Sequence, residues 1–147
     1  MLYSKLLLLF LSFHVLAQNT SAKEHGTVIM YHRFDENKYK DTSISSELFG
    51  LHLEFLKNEG YNVLPISKLV EFYSNEKSLP EKSVFITIDD GYKSFYNKAY
   101  PLLKKYQFPF TVFVSTDHVA RSENSNFMTW KMLKDLKQNG GAIHNHT

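Results

Sequence analysis

The sequence predicts an α/β fold in which helices lie outside a parallel sheet, and three observations carry that expectation. Short apolar runs with strand character alternate with amphipathic helical stretches along the chain. In "VFITIDDGY", residues 84–92, Val84, Phe85, Ile86 and Ile88 make a run apolar at successive positions, as a strand buried on both faces requires. Three such runs end on titratable groups: Tyr31-His32-Arg33, Asp89-Asp90-Gly91 and His144-Asn145-His146-Thr147. Parallel sheets bind ligands at the carboxyl ends of their strands, so these groups are expected to share one edge.

The elements follow in order. "TVIMYHRF" (27–34) reads as a strand and "DENKYKDTSIS" (35–45) as a polar loop. Ser45 or Ser46 caps a helix running to about Asn58, with Leu48, Leu51, Phe55 and Leu56 as its apolar positions and Gly60 closing it. "YNVLPI" is a short strand, "SKLVEFYSN" a helix and "EKSLPEKS" a loop before the 84–88 strand. "GYKSFYNKAYPLLKKYQ" is helical, with Pro101 forcing a break or a fresh start. "FPFTVFVST" is a further buried strand. A helix then runs from about Met128 to "NGG", with Trp130, Met132 and Leu133 as core packing beneath the site, and Ala142-Ile143 opens a last strand.

Length and composition narrow the function. A chain of 147 residues is one domain by length, and its formal charge of +2 without a basic patch argues against nucleic acid. There is no glycine-rich phosphate loop and no G-x-S-x-G elbow, which removes support for nucleotide binding and for serine esterase chemistry. The absence of cysteine excludes disulfides and thiolate metal sites, so any metal here uses histidine and carboxylate. At the N-terminus Lys5 precedes an apolar run from Leu6 to Leu16 and then the small Ala17. That order predicts a signal peptide over residues 1–17, cleaved after Ala17, with a linker over 18–26 before the domain that begins at 27, and so an exported mature chain, free or associated with the cell envelope. Roughly 12 apolar residues are too few to cross a bilayer core of about 30 Å.

Asp89 and Asp90 follow a buried strand with nothing basic beside them, and two adjacent like charges favour a cation nearby. Neighbouring side chains at a strand end point to different sides, so one carboxylate can hold a metal while the other faces its water. The competing reading is an Asp-Gly turn with Asp90 capping the next helix. His146 stands beside an Asn and a Thr able to orient a ligand, whereas His144 reads as a bystander at the sheet edge. His32, taken alone, reads as a satisfied strand-end histidine.

Taken together, "VIMYHRF", "FITIDDGY", "YPLLKKYQFPFTVFVST" and "MTWKMLKDLKQNGGAIHNHT" resemble the polysaccharide deacetylases with a NodB-type domain, carbohydrate esterase family 4, over residues 27–147. "YHRF" further resembles the subgroup acting on poly-β-1,6-N-acetyl-D-glucosamine of biofilm matrix. The resemblance implies the N-terminal part of a distorted (β/α) barrel of NodB type and a divalent metal, zinc above all, held by one Asp and two His. It implies Asp89 as general base, Asp90 and His146 as metal ligands, and His32 as general acid, with an N-acetylated polysaccharide as substrate and acetate as product. Thr147 is expected to help hold its neighbouring histidine.

The family spaces its metal histidines as H-[ST]-x-x-x-H or H-[ST]-x-x-H, and the sequence stops at Thr147. The resemblance therefore implies a piece of a longer protein, with the second metal histidine, the substrate-binding arginine and the acetate pocket beyond residue 147, and no turnover from these 147 residues alone. The alternative is a short, non-catalytic protein of the same partial fold that binds glycan or a partner. A carboxylate site for Mg²⁺ and phosphoryl chemistry is the third reading, weakened by the lack of a phosphate loop.

Overall fold

A computed structural model describes residues 25–75, 77–119 and 124–147. The expected signal peptide and most of the linker lie outside the described residues. Among those described, no helix is long and apolar enough to cross a membrane.

The architecture is a parallel sheet with helices packed on it. Strands β1 (Gly26–Tyr31), β5 (Ser83–Ile88), β6 (Phe110–Val114) and β7 (Gly141–Asn145) lie side by side in that order, and β4 (Asn62–Val63) pairs with the first two residues of β5. Every one of these pairings is parallel. A second, two-stranded parallel sheet joins β2 (Arg33–Phe34) to β3 (Ser43–Ile44). The expected strand over 27–34 is thus two strands broken at His32, and the expected loop over 35–45 ends in β3.

Strand β5 sits centrally and is buried at all six positions, as its unbroken apolar run demands. Alternation on β1 splits its side chains: Tyr31 enters the core, whereas Met30 on the opposite face is 57% exposed. The core lies between sheet and helices, where Phe34, Phe49, Phe95 and Phe110 meet at tilted and edge-on angles around Ile86, Ile88 and Val112.

Helix α1 (Ser46–Asn58) starts where the Ser45 hydroxyl accepts from the Leu48 N–H at 3.0 Å, the expected cap. Its buried face corrects the expectation. Phe49, Leu53 and Leu56 face the core, whereas Leu51 and Phe55 are each 55% exposed and Leu48 is exposed as well. Helix α1 carries apolar residues around most of its circumference, so periodicity alone left two candidate faces and the sheet selected the one carrying Phe49.

Helix α2 (Ile66–Tyr73) follows β4. Between β5 and β6 the chain makes a π-helical turn, Phe95–Ala99, before helix α3 (Tyr100–Tyr106), with Pro101 in the first turn of α3. Proline has no N–H to return to the Asn97 carbonyl, and the Tyr100 N–H reaches instead to the Phe95 carbonyl, which widens the turn. Helix α4 (Trp130–Gln138) begins after a Thr129 cap, two residues later than the sequence predicts. Trp130 is 51% exposed and does not underlie the site, a correction to its expected role; Leu133 and Leu136 carry the burial of that helix.

Candidate functional site

Strand ends bring three of the four predicted residues together. The β1–β5 register pairs Tyr31 with Ile88, and the Asp89 N–H then donates to the Tyr31 carbonyl at 2.8 Å, so β1 ends one residue before His32 and β5 one residue before Asp89. On the other side, the His146 N–H donates to the Val114 carbonyl at 2.9 Å and carries the β7 backbone one residue further along β6. The His146 Nε2 comes to lie 3.6 Å from Asp89 Oδ2 and 3.8 Å from Asp90 Oδ1. Asp89 and His146 line a hollow of about 380 Å³ together with Val28, Met30, Thr87 and Phe113. His32 opens into an adjoining hollow of about 170 Å³ that it shares with Asp41 and Thr42, and Met30 lines both.

The turn that presents the carboxylates is unusual in its backbone. Asp90 has φ 66° and Gly91 φ 76°, two consecutive left-handed residues. At Gly91 a side chain is also excluded by space, since a Cβ there would sit 2.8 Å from Val114 Cγ1. The turn is tied down by the Gly91 N–H donating to the Asp89 carbonyl and by the Met128 N–H donating to the Gly91 carbonyl, both at 2.9 Å. An Asp90-Gly91 turn is present, as weighed above, but the helical turn over 95–99 takes Ser94 as its N-cap, and Asp90 Oδ1 lies beside His146.

The histidine is oriented by its own neighbour. His146 Nδ1 lies 2.7 Å from the backbone oxygen of Thr147, which can only accept, so Nδ1 is the donor in that contact and Nε2 is the nitrogen that faces the carboxylates. It is the Thr147 backbone, not its hydroxyl, that makes this contact. That oxygen first, and then the Asp89 and Asp90 carboxylates, hold the imidazole pKa above its ordinary value, against a smaller opposing effect of burial. His144 is exposed with its ring tilted against Phe113, outside the hollow.

Two groups that sequence patterning passes over stand at the rim. The Arg33 guanidinium lies 3.4 Å from the centre of the Tyr92 ring and 3.9 Å from that of Tyr39, and its Nη1 donates to Glu36 Oε2 at 2.9 Å. Burial and the neighbouring Asp90 carboxylate raise the Tyr92 pKa, against a lowering by Arg33. The only sequence signal for either was adjacency, Arg33 to His32 and Tyr92 to Asp-Asp-Gly.

Asp90 and His146 are donor types that a divalent metal takes. Ligands of a tetrahedral ion at about 2.1 Å are separated by about 3.4 Å, so the 3.8 Å between Asp90 Oδ1 and His146 Nε2 is within a few tenths of an ångström of that spacing. Among the described residues, no group of three or more His, Cys, Asp or Glu is arranged to hold an ion.

Residues 76–147 match the model of the family described as polysaccharide deacetylase. By that match, over just under half of its length, the chain resembles the polysaccharide deacetylases. A poly-beta-1,6-N-acetyl-D-glucosamine N-deacetylase of Staphylococcus aureus is 30% identical over 113 residues, 76% of this chain. Among solved structures, IcaB from Ammonifex degensii aligns with a TM-score of 0.75 and 29% identity over 84% of this chain and 53% of that one. The Streptococcus pyogenes deacetylase PplD, solved with acetate, aligns with a TM-score of 0.72 and 31% identity over 83% of this chain and 56% of that one. The chain spans 38 to 41% of the length of the curated relatives compared with it. The parallel sheet is accordingly the portion of the deacetylase barrel that these residues cover, as the resemblance implied.

Proposed function

We propose that this chain contributes to the hydrolysis of N-acetyl groups on an N-acetylglucosamine polymer, of the kind named for the Staphylococcus aureus relative, in a protein exported by its N-terminal leader. The observation that carries the reading is the convergence of Asp89, Asp90 and His146 at the carboxyl ends of β5 and β7. Asp90 and His146 are the residues that would hold a metal, and carboxylate with imidazole suits zinc. When bound, the ion lowers the pKa of its water and polarises the acetamide carbonyl.

The remaining work falls to the chain. Asp89 takes the proton from the attacking water, and His32, one residue beyond β1 as Asp89 is beyond β5, delivers a proton to the departing sugar nitrogen as the carbon–nitrogen bond breaks. Water and acetamide become acetate and a free amine. The Thr147 backbone oxygen fixes which imidazole nitrogen faces the ion.

The test is acetate release from poly-β-1,6-N-acetylglucosamine by the full-length protein. Asp89→Asn and His32→Ala should each lower kcat by about 100-fold or more, the usual worth of a positioned acid or base. Activity removed by chelation should return with zinc and not with magnesium. Full activity in either variant removes that residue's assignment, and polymer binding without any acetate release favours the non-catalytic glycan-binding alternative.

A further inference from the structure

Resting on the deacetylase reading, we propose that Arg33 is a positioning residue that clamps Tyr92, and through it holds the strained Asp90-Gly91 turn and the His32 strand end in register. The guanidinium carbon lies 3.4 Å from the centre of the Tyr92 ring and 3.9 Å from that of Tyr39, Nη1 is anchored by Glu36, and the Arg33 side chain is only 12% exposed. Phe127 is stacked on the same Tyr92 ring at 5.0 Å and 26°, and His118 on Phe127 at 4.7 Å and 23°. The result is a ladder of planar groups across the rim, Tyr39, Arg33, Tyr92, Phe127 and His118, with arginine as the one rung that also belongs to the strand end bearing His32.

A left-handed aspartate persists only where its surroundings over-determine it. On one side the turn is pinned by bonds to the 126–128 segment: Met128 N–H to the Gly91 carbonyl, and Lys93 N–H to the Asn126 carbonyl at 2.8 Å. These hold the turn to the region before α4. Towards His32 the turn is tied at its start by the Asp89 N–H donating to the Tyr31 carbonyl at 2.8 Å, and beyond Gly91 by Arg33 over Tyr92 and by the Phe34 N–H donating to Ser94 Oγ at 3.2 Å. The contact needs a planar face as well as a charge, which arginine has and lysine lacks.

The experiment uses the full-length protein with Arg33→Met and Arg33→Lys. Zinc affinity is read by calorimetry, Met128 amide exchange in the metal-free protein, and kcat separately from KM. For both variants we expect zinc affinity and kcat to fall at least about tenfold, the low end for groups that support metal ligands, with KM within about twofold. Met128 exchange should accelerate, because the pin at Gly91 loosens with the clamp. Glu36→Gln, which leaves the stack in place, should change zinc affinity by less than about threefold.

Wild-type zinc affinity and kcat in a folded Arg33→Met protein overturn the clamp, as does full restoration by lysine. Should Arg33→Met not fold, Tyr39→Leu removes the exposed ring of the clamp instead, and unchanged affinity and exchange there overturn the proposal equally. Asp90→Asn separates the two levels of inference. If it retains zinc binding, the deacetylase site reading falls; if it loses zinc while Arg33→Met behaves as wild type, only the clamp falls.

Discussion

Individual residues at this site are held in conformations they would not choose alone. Gly91 answers a double requirement, a left-handed φ and a Cβ position occupied by Val114. Gly91→Ala should therefore destabilise the protein by about 2 kcal/mol in urea unfolding, with the denaturant slope unchanged. Behind the site, Tyr31 is buried with its hydroxyl 3.0 Å from His52 Nδ1, and burial pushes its pKa up to about 12. Below pH 10 both folded and unfolded chains keep this proton, and its contribution to stability is fully present. Between pH 10 and about 12 the unfolded chain releases the proton first, so stability falls with pH, by a limiting value of about 3 kcal/mol for a shift of this size. Tyr31→Phe should flatten that part of the stability–pH curve, and an unchanged slope in the variant would assign the loss to other groups.

Among the elements, α1 shows how a helix with two apolar faces is resolved. Leu53 is fully buried against the sheet, whereas Leu51 projects from the other side. Leu53→Ala should cost about 3 kcal/mol and Leu51→Gln no more than about 0.5, as measured by the shift in the denaturation midpoint. Equal costs would mean that the Leu51 face is covered in solution. Capping makes a smaller, separable contribution: Ser45→Ala should cost about 1 kcal/mol by freeing the Leu48 N–H. The π-helical turn before α3 coincides with Pro101, whose missing N–H leaves the Asn97 carbonyl without its usual helical donor.

At the scale of the whole molecule, the site couples strands that are distant in sequence. Asp90 follows β5 and His146 follows β7, so an ion bound between them cross-links the sheet in the folded state only. Zinc at about 100 times its dissociation constant should raise the unfolding free energy by about 2.7 kcal/mol, and Asp90→Asn should abolish the shift in Tm. The periodicity and punctuation of the sequence were enough to place the strands, the Ser45 cap, the Pro101 break and the edge at which titratable groups collect, because hydrophobic spacing and proline chemistry act within a few residues. The places of Asp89, Asp90 and His146 at strand ends were legible for the same reason, whereas the roles expected of them and of His32 came from the family resemblance and not from any local pattern. Only the tertiary structure decided which face of α1 is buried, that Trp130 lies outside, that Asp90 adopts a left-handed backbone, and that Arg33 lies between Tyr39 and Tyr92. Each of these depends on a partner tens of residues away, and a local pattern carries no record of which distant surface will arrive to meet it.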